Sequence, residues 1–321
     1  MLYQPVNHST WSEGQDRPFG TYERRWQHQV RCLDMDRDAL QQPGCRMAIL
    51  GFACDEGVRR NWGRPGAKEG PDAIRKVLGR FAWHQDNTCG FIDAGNVYCP
   101  DEDLQTAQQE LRQRVARLLS AGYFTVLIGG GHEVAWGHYL GIADHTGEKS
   151  IGIINIDAHF DLRKPDKRGG NSGTSFFQIA DQSERNHRDF KYLCLGIQKQ
   201  SNSQELFRTA SKYRTDWIAS DGVALHNIGE LQARLSQFLE NVDWIYLSLC
   251  LDVFSAAYAP GVSAPNPAGL SPDVVAALYQ YILQSGKVIS TDIAELNPKY
   301  DLDERTARLA ATMIFDVAAS L

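Results

Sequence analysis

Residues 150–163 read SIGIINIDAHFDLR, an apolar run that ends in polar residues at every second position. A continuous apolar run of this length is typical of a strand that is buried on both faces of a sheet. Asp157, His159 and Asp161 follow the run directly. Because residues i, i+2 and i+4 of an extended chain point to one side, we expect three metal-binding side chains to face one point at the end of a strand.

The pattern of this stretch recurs along the chain. Apolar runs that predict strands lie at residues 47–53, 123–130, 150–156, 191–197, 244–249 and 287–293. Segments with helical spacing lie between and after them, at residues 70–83, 101–122, 133–145, 227–242, 271–286 and 305–321. We expect Asp101 and Ser271 to cap two of these helices. Alternation of apolar strands with helices predicts an α/β fold with a parallel sheet covered on both faces.

The chain has 321 residues, and no Gly/Pro/Ser-rich linker divides it. We therefore expect one domain over residues 1–321. Residues 1–44 are polar and predict an N-terminal extension that packs on this domain. Its expected anchors are aromatic residues: Trp11, Phe19, Tyr22 and Trp26.

The composition excludes several classes of protein. A net charge of -6 provides no general attraction for nucleic acid. We find no apolar run of the ~20 residues that span a membrane and no basic-then-apolar leader. Seven cysteines without a pairing pattern are typical of reduced thiols. We expect a cytoplasmic protein that binds neither nucleic acid nor membrane.

Two further predicted strands end in residues that bind metals. His132 follows FTVLIGGG, and Cys250 and Asp252 follow WIYLSL. Sites in open parallel sheets form beyond the carboxyl ends of strands. If the three strands are neighbours, these residues therefore converge with Asp157, His159 and Asp161. Mixed imidazole and carboxylate ligands suit a divalent ion such as Mn²⁺, and six donors suggest two ions. Taken singly, each motif is also compatible with a solvated or glycine-rich turn.

Four motifs, in order, resemble those of the ureohydrolases, the family of arginases, agmatinases and formimidoylglutamases. They are GGGHE (129–133), NIDAHFDLR (155–163), SLCLD (248–252) and DIAELNP (292–298). The resemblance extends over roughly residues 46–320 and implies a three-layer α/β/α sandwich with a mostly parallel, eight-stranded sheet. It also implies two Mn²⁺ ions per subunit and assembly into a homo-oligomer.

The resemblance assigns the metal ligands by position. One manganese would be held by His132, Asp157, Asp161 and Cys250, and the other by Asp157, His159, Cys250 and Asp252. The family usually has aspartate where this chain has Cys250. Because a thiolate is softer than a carboxylate and matches Mn²⁺ less well, we expect the second metal to bind weakly. The alternative is that Cys250 is a small buried filler and that only one metal binds tightly.

The catalytic residues are likewise implied by the resemblance. Glu295 occupies the family's position for orienting the cationic C=N group, and Asp292 would orient a metal ligand from behind. Ser172 stands where arginases carry a histidine proton shuttle. The leaving group would therefore take its proton from Asp161 or from metal-bound solvent, and the sequence does not decide between them.

Differences from arginases suggest an anionic substrate. Arg163 and Arg168 align with small polar groups that contact the arginase substrate, and Ser201 aligns with the aspartate that binds its ammonium. Since guanidinium binds carboxylate well, we expect a dicarboxylate tail, although such a basic loop can also be a solvated turn. Formimidoylglutamases hydrolyse N-formimidoyl-L-glutamate to L-glutamate and formamide in histidine degradation, and this activity fits best. The alternatives are an agmatinase, a guanidino-acid hydrolase or a non-catalytic metal-binding relative.

Overall fold

A computed structural model describes residues 1–12, 24–85 and 90–321. Phe19 and Tyr22, two of the expected anchors, lie outside the described residues. The described chain forms one ten-stranded sheet. Its strands are β1 (Tyr3–Gln4), β2 (Val30–Cys32), β3 (Cys45–Ala53), β4 (Gly90–Tyr98), β5 (Phe124–Gly129), β6 (Ile151–Ile156), β7 (Lys191–Ile197), β8 (Asp216–Ala219), β9 (Trp244–Cys250) and β10 (Val288–Ala294).

The strands lie in the order β1-β4-β3-β5-β10-β9-β6-β7-β8, and β2 also pairs with β4. Strands β3 to β10 pair with one another only in parallel, and these eight form the sheet that the family resemblance implied. The N-terminal segment adds two short strands, of which β1 is antiparallel and β2 is parallel to β4. The centre of the sheet is β5-β10-β9-β6.

Helices cover both faces of the sheet, which confirms the predicted fold class. They are α1 (Ser9–Ser12), α2 (Glu56–Arg60), α3 (Gly70–Gly79), α4 (Leu104–Ser120), α5 (Val134–Thr146), α6 (Ser175–Arg185), α7 (Gln204–Lys212), α8 (Ile228–Glu240), α9 (Pro272–Leu283) and α10 (Arg305–Ser320).

Alternate residues of the central strands enter two separate cores. In β5, Val126 and Ile128 pack in the core with α3, α8, α9 and α10, whereas Leu127 packs in the core with α4, α5, α6 and α7. Since successive strand residues point to opposite faces, a continuous apolar run is what a sheet between two helical layers requires.

The structure differs from the sequence-based prediction in several elements. Strands β4 and β8 and helices α6 and α7 were not predicted. The cap of α4 is Asp103, whose carboxylate accepts a hydrogen bond from the Thr106 amide at 3.1 Å, so the prediction for Asp101 was wrong. Asp101 instead adopts a left-handed backbone with φ of 56° in the preceding turn. Ser271 stands at the N-cap position of α9, as predicted, but its side chain makes no capping hydrogen bond to the helix backbone.

The N-terminal segment is joined to the sheet by a buried polar cluster. The indole Nε1 of Trp11 donates to Asp93 in β4 at 2.7 Å. Arg75 of α3 binds the same carboxylate with two nitrogens, at 2.7 and 2.9 Å, and also donates to Asn96. Trp11, Arg75 and Asp93 are all fully buried. No helix among the described residues is both long and apolar enough to cross a membrane.

This cluster yields a stability prediction. Because Arg75→Met leaves the buried Asp93 carboxylate without its cation, we expect a loss of about 3–5 kcal/mol in the free energy of unfolding. Arg112→Met is the control, since Arg112 pairs with Asp144 at the surface and should lose less than about 1 kcal/mol. Urea denaturation measures both, and equal losses would contradict the account.

Candidate metal centre

The three predicted strand ends lie close together: β9 and β6 are adjacent, and β10 separates β9 from β5. His132 follows β5, Asp157 follows β6, and Cys250 ends β9. Glu295 follows β10, which lies between β5 and β9. Because all four strands are parallel, their carboxyl ends bring these side chains to one edge of the sheet, as in other open α/β folds.

The six predicted ligands form two overlapping sets. Ligand atoms of His132, Asp157 and Cys250 lie within 4.8 Å of one another, and so do those of Asp157, His159 and Asp252. Asp161 joins the first set through its carboxylate, which lies 2.9 Å from His132 Nδ1. Asp157 belongs to both sets, which is the position of a ligand that bridges two ions.

A buried chain of hydrogen bonds fixes the ring of His132. Its Nε2 lies 2.9 Å from Ser248 Oγ, and that hydroxyl donates to Asp292 Oδ1 at 2.7 Å. The other Asp292 oxygen contacts His138 Nδ1 at 2.7 Å and accepts from Tyr246. If Nε2 donates to Ser248, the neutral ring would have Nδ1 free to bind a metal ion in place of the proton. Asp292 therefore lies behind a predicted ligand, acting through Ser248.

The charges of this cluster need a cation. His132 Nδ1 points at Asp157 and Asp161, at 3.0 and 2.9 Å. Burial alone would lower the pKa of His132, but these two carboxylates outweigh it and raise that pKa well above its ordinary value. Burial would raise the pKa of Asp157, yet its contacts with His132 and His159 hold it low. In this arrangement the protonated imidazoles occupy the electrostatic role that a metal ion would take.

Other buried atoms support the same interpretation. Asp252 Oδ1 and Glu295 Oε2 are buried without a hydrogen-bond partner. Burial, then the charges of Asp157 and Asp252, raise the pKa of the Cys250 thiol well above its ordinary value, so a thiolate there needs a neighbouring cation. Buried unpaired polar atoms are costly unless something binds them. The donor set therefore fits divalent cations.

Glu295 is held with one oxygen bound and one free. Its Oε1 accepts a hydrogen bond from the His132 amide at 2.8 Å, and its own amide donates to Gly130. Burial, with the charges of Glu133 and Asp252, raises the pKa of Glu295 well above its ordinary value. Glu295 and Asp161 both have left-handed backbones, with φ of 74° and 47°. Such conformations cost energy in non-glycine residues and cluster at functional sites.

A cavity of about 290 Å³ opens onto this cluster. Arg163 and Ser172 line it, and so does Asn61, which donates to Ser172 Oγ at 3.1 Å. Glu295 and five of the six candidate metal ligands also line the cavity; these ligands are His132, His159, Asp161, Cys250 and Asp252. Ser201, which aligns with the ammonium-binding aspartate of arginases, is not among the lining residues.

Other arginines near the cavity are engaged elsewhere. Arg168 does not line the cavity, and its guanidinium binds Asp166 at 2.7 Å. Arg59 pairs with Glu56, and Arg64 donates to the carbonyl groups of Val262 and Ser263. The geometry therefore leaves Arg163 as the described arginine that lines the cavity.

Asn202 is a site residue that the sequence reasoning missed. It lines the cavity, and its amide nitrogen donates to Ala158 and Gln198 carbonyls while its oxygen accepts from the Phe160 amide. These bonds hold the backbone on both sides of His159. The only signal in the sequence was its place soon after β7, at the edge of the sheet that carries the candidate ligands.

Comparisons with known proteins agree with this geometry. A formimidoylglutamase of Chromobacterium violaceum is 42% identical over 316 residues, covering 98% of this chain and 99% of that protein. A formimidoylglutamase of Geobacillus thermodenitrificans is 42% identical over 318 residues, covering 98% and 96%. At this level of identity over nearly the whole length, the likeness extends beyond the fold.

Solved structures match the fold. The crystal structure of Bacillus subtilis formimidoylglutamase has a TM-score of 0.81 at 23% identity, covering 96% of this chain and 95% of that one. Trypanosoma cruzi formiminoglutamase with Mn²⁺ has a TM-score of 0.79 at 24% identity, covering 93% and 98%. The sequence model of the Arginase family matches residues 45–319. The chain belongs to the arginase family.

Proposed function

We propose that this protein is a formimidoylglutamase, which hydrolyses N-formimidoyl-L-glutamate to L-glutamate and formamide in histidine degradation. The observation that carries the proposal is the pair of ligand sets sharing Asp157, in one cavity with the half-bound carboxylate of Glu295. The full-length likeness to curated formimidoylglutamases supports the substrate.

The proposed cofactor is a pair of Mn²⁺ ions. His132, Asp157, Asp161 and Cys250 would hold one ion, and Asp157, His159, Cys250 and Asp252 would hold the other. When bound, such a pair lowers the pKa of a shared water and supplies a nucleophile at neutral pH. Carboxylate and imidazole donors favour manganese, whereas the Cys250 sulfur favours softer ions, so we propose that the second ion binds more weakly.

Glu295 would bind the reacting group. The formimidoyl group is a cationic amidine, and the buried Glu295 Oε2 has no hydrogen-bond partner in the protein. An N–H of the amidinium would satisfy that oxygen and neutralise the charge, which holds the electrophilic carbon in one orientation. Water adds to this carbon, the C–N bond to glutamate breaks, and the glutamate nitrogen takes a proton from Asp161 or solvent.

Arg163 would bind the anionic tail. It lines the cavity, and no acidic partner is recorded for it among the described residues. Ser172 occupies the place of the arginase histidine and is bound by Asn61. A cationic tail such as that of agmatine would face the positive charge of Arg163 and form no favourable ion pair with it. The geometry therefore favours a carboxylate-bearing substrate. A guanidino-acid hydrolase is the second candidate, because its substrate also combines a cation with a carboxylate.

The activity is tested by formamide release from N-formimidoyl-L-glutamate after Mn²⁺ loading. We expect metal-dependent turnover, and Glu295→Gln should reduce kcat/KM by about 10²-fold or more because the amidinium loses its counter-charge. Metal content of the variant should be measured alongside. Turnover of guanidino acids but not of N-formimidoyl-L-glutamate would replace the proposal with the second candidate.

The tail contact is tested with a matched pair of variants. Arg163→Met should raise KM for N-formimidoyl-L-glutamate about tenfold or more, because one charge-assisted contact with a carboxylate is lost. The adjacent Lys164 is exposed and does not line the cavity, so Lys164→Met should leave KM near the wild-type value. Equal effects would show that only general charge matters.

Cys250→Asp tests the proposed thiolate ligand. Replacing a soft donor with a carboxylate should tighten binding of the second Mn²⁺ ion, as measured by equilibrium dialysis with metal analysis under reducing conditions. Cys194→Ala is a control, because Cys194 is a buried cysteine outside both ligand sets. Unchanged stoichiometry and affinity in Cys250→Asp would assign Cys250 to packing.

A further inference from the structure

Trp62 combines three unusual properties at the mouth of the cavity. Trp62 is 85% exposed, which is more than any other described tryptophan. It lines the cavity beside Asn61. Its backbone is left-handed, with φ of 63°. A bulky residue in this conformation is a real outlier, and such strain is retained where the side chain has a use.

The local backbone favours glycine at this position. After α2, the Trp62 amide donates to Arg59 O at 3.2 Å, and the Gly63 amide donates to Val58 O at 2.9 Å. These two bonds form the Schellman motif, in which the left-handed residue is usually glycine. The chain therefore carries an exposed, strained tryptophan where glycine would end the helix at lower cost.

Arg168 contacts the ring of Trp62. The guanidinium carbon of Arg168 lies 5.0 Å from the centre of the Trp62 ring, within the range of a cation–π contact. Arg168 is itself fixed by Asp166 at 2.7 Å. The loop that follows the metal ligands thus orients an indole that stands on a different loop.

We propose that Trp62 is a specificity-determining residue that forms the outer wall of the substrate cavity, and that Arg168 is a positioning residue that orients it. The wall packs against the aliphatic part of the substrate tail and helps to place the tail carboxylates near Arg163. This inference rests on the proposed function. It also gives Arg168 a role in substrate binding without a direct contact.

The test compares Trp62→Gly with Trp62→Phe in the Mn²⁺-loaded protein. Trp62→Gly should raise KM for N-formimidoyl-L-glutamate about five- to tenfold, with kcat within about twofold, because wall contacts are lost and the reacting groups are untouched. Its melting temperature should be equal or higher, since glycine removes the strain. Trp62→Phe, which keeps a ring, should retain most of the wild-type KM.

Arg214→Gly is the control for relief of strain. Arg214 has φ of 53° and ends α7 with the same pair of bonds, from its own amide to Ser211 O and from the Thr215 amide to Ala210 O. It does not line the cavity. Its glycine variant should show a similar thermal effect with an unchanged KM.

A double variant separates positioning from direct contact. Arg168→Met should raise KM about two- to fivefold, and in the Trp62→Gly background it should add nothing. Multiplicative effects would show that Arg168 contacts substrate by itself and would overturn its positioning role. If the wild type is active and Trp62→Gly leaves KM unchanged, the proposed role of Trp62 in substrate binding would be overturned. A wild type that does not hydrolyse N-formimidoyl-L-glutamate would instead overturn the proposed function.

Discussion

The structure depends on a cluster of buried carboxylates that needs positive charge. Asp157, Asp161 and Asp252 lie at one edge of the sheet with little access to solvent, and the imidazoles of His132 and His159 point into them. Uncompensated buried charge is too costly to retain without a binding partner. We propose that divalent cations provide the compensation and that the same cations supply the chemistry. The buried charges that cost the fold stability would then also form its functional centre.

The topology of the sheet explains why the cluster can form at all. Its members come from segments spread between residues 132 and 252, yet the strands that carry them, β5, β6 and β9, lie with β10 at the centre of the sheet. Apolar side chains bury these strands between two helical layers, which fixes the positions of their carboxyl ends. The buried hydrogen bonds through Ser248 and Asp292 then set the ring of His132. Rigid packing and precise ligand placement thus have the same origin.

The sequence was sufficient to predict the central sheet, most of the covering helices and the convergence of the candidate ligands, because apolar runs and ligand motifs coincide there. It was not sufficient for β4, where Asp93 and Asn96 interrupt the apolar pattern and are bound by Arg75 of the preceding helix α3. The short edge strand β8 carries too little pattern to be recognised. The ion pair of Arg168 with Asp166 and the bracing of His159 by Asn202 depend on loop geometry, which spacing alone does not encode.

In the proposed function, substrate recognition depends on charges around this centre: a free carboxylate oxygen on Glu295 would bind the amidine, and Arg163 would bind the tail. All of it presupposes that the cluster holds a pair of ions. The most direct measurement is anomalous diffraction at the manganese absorption edge from crystals of the Mn²⁺-loaded protein. The account predicts two peaks on either side of the Asp157 carboxylate, one beside His132 and the other between His159 and Asp252. No anomalous density among these residues, with manganese bound elsewhere or not at all, would contradict it.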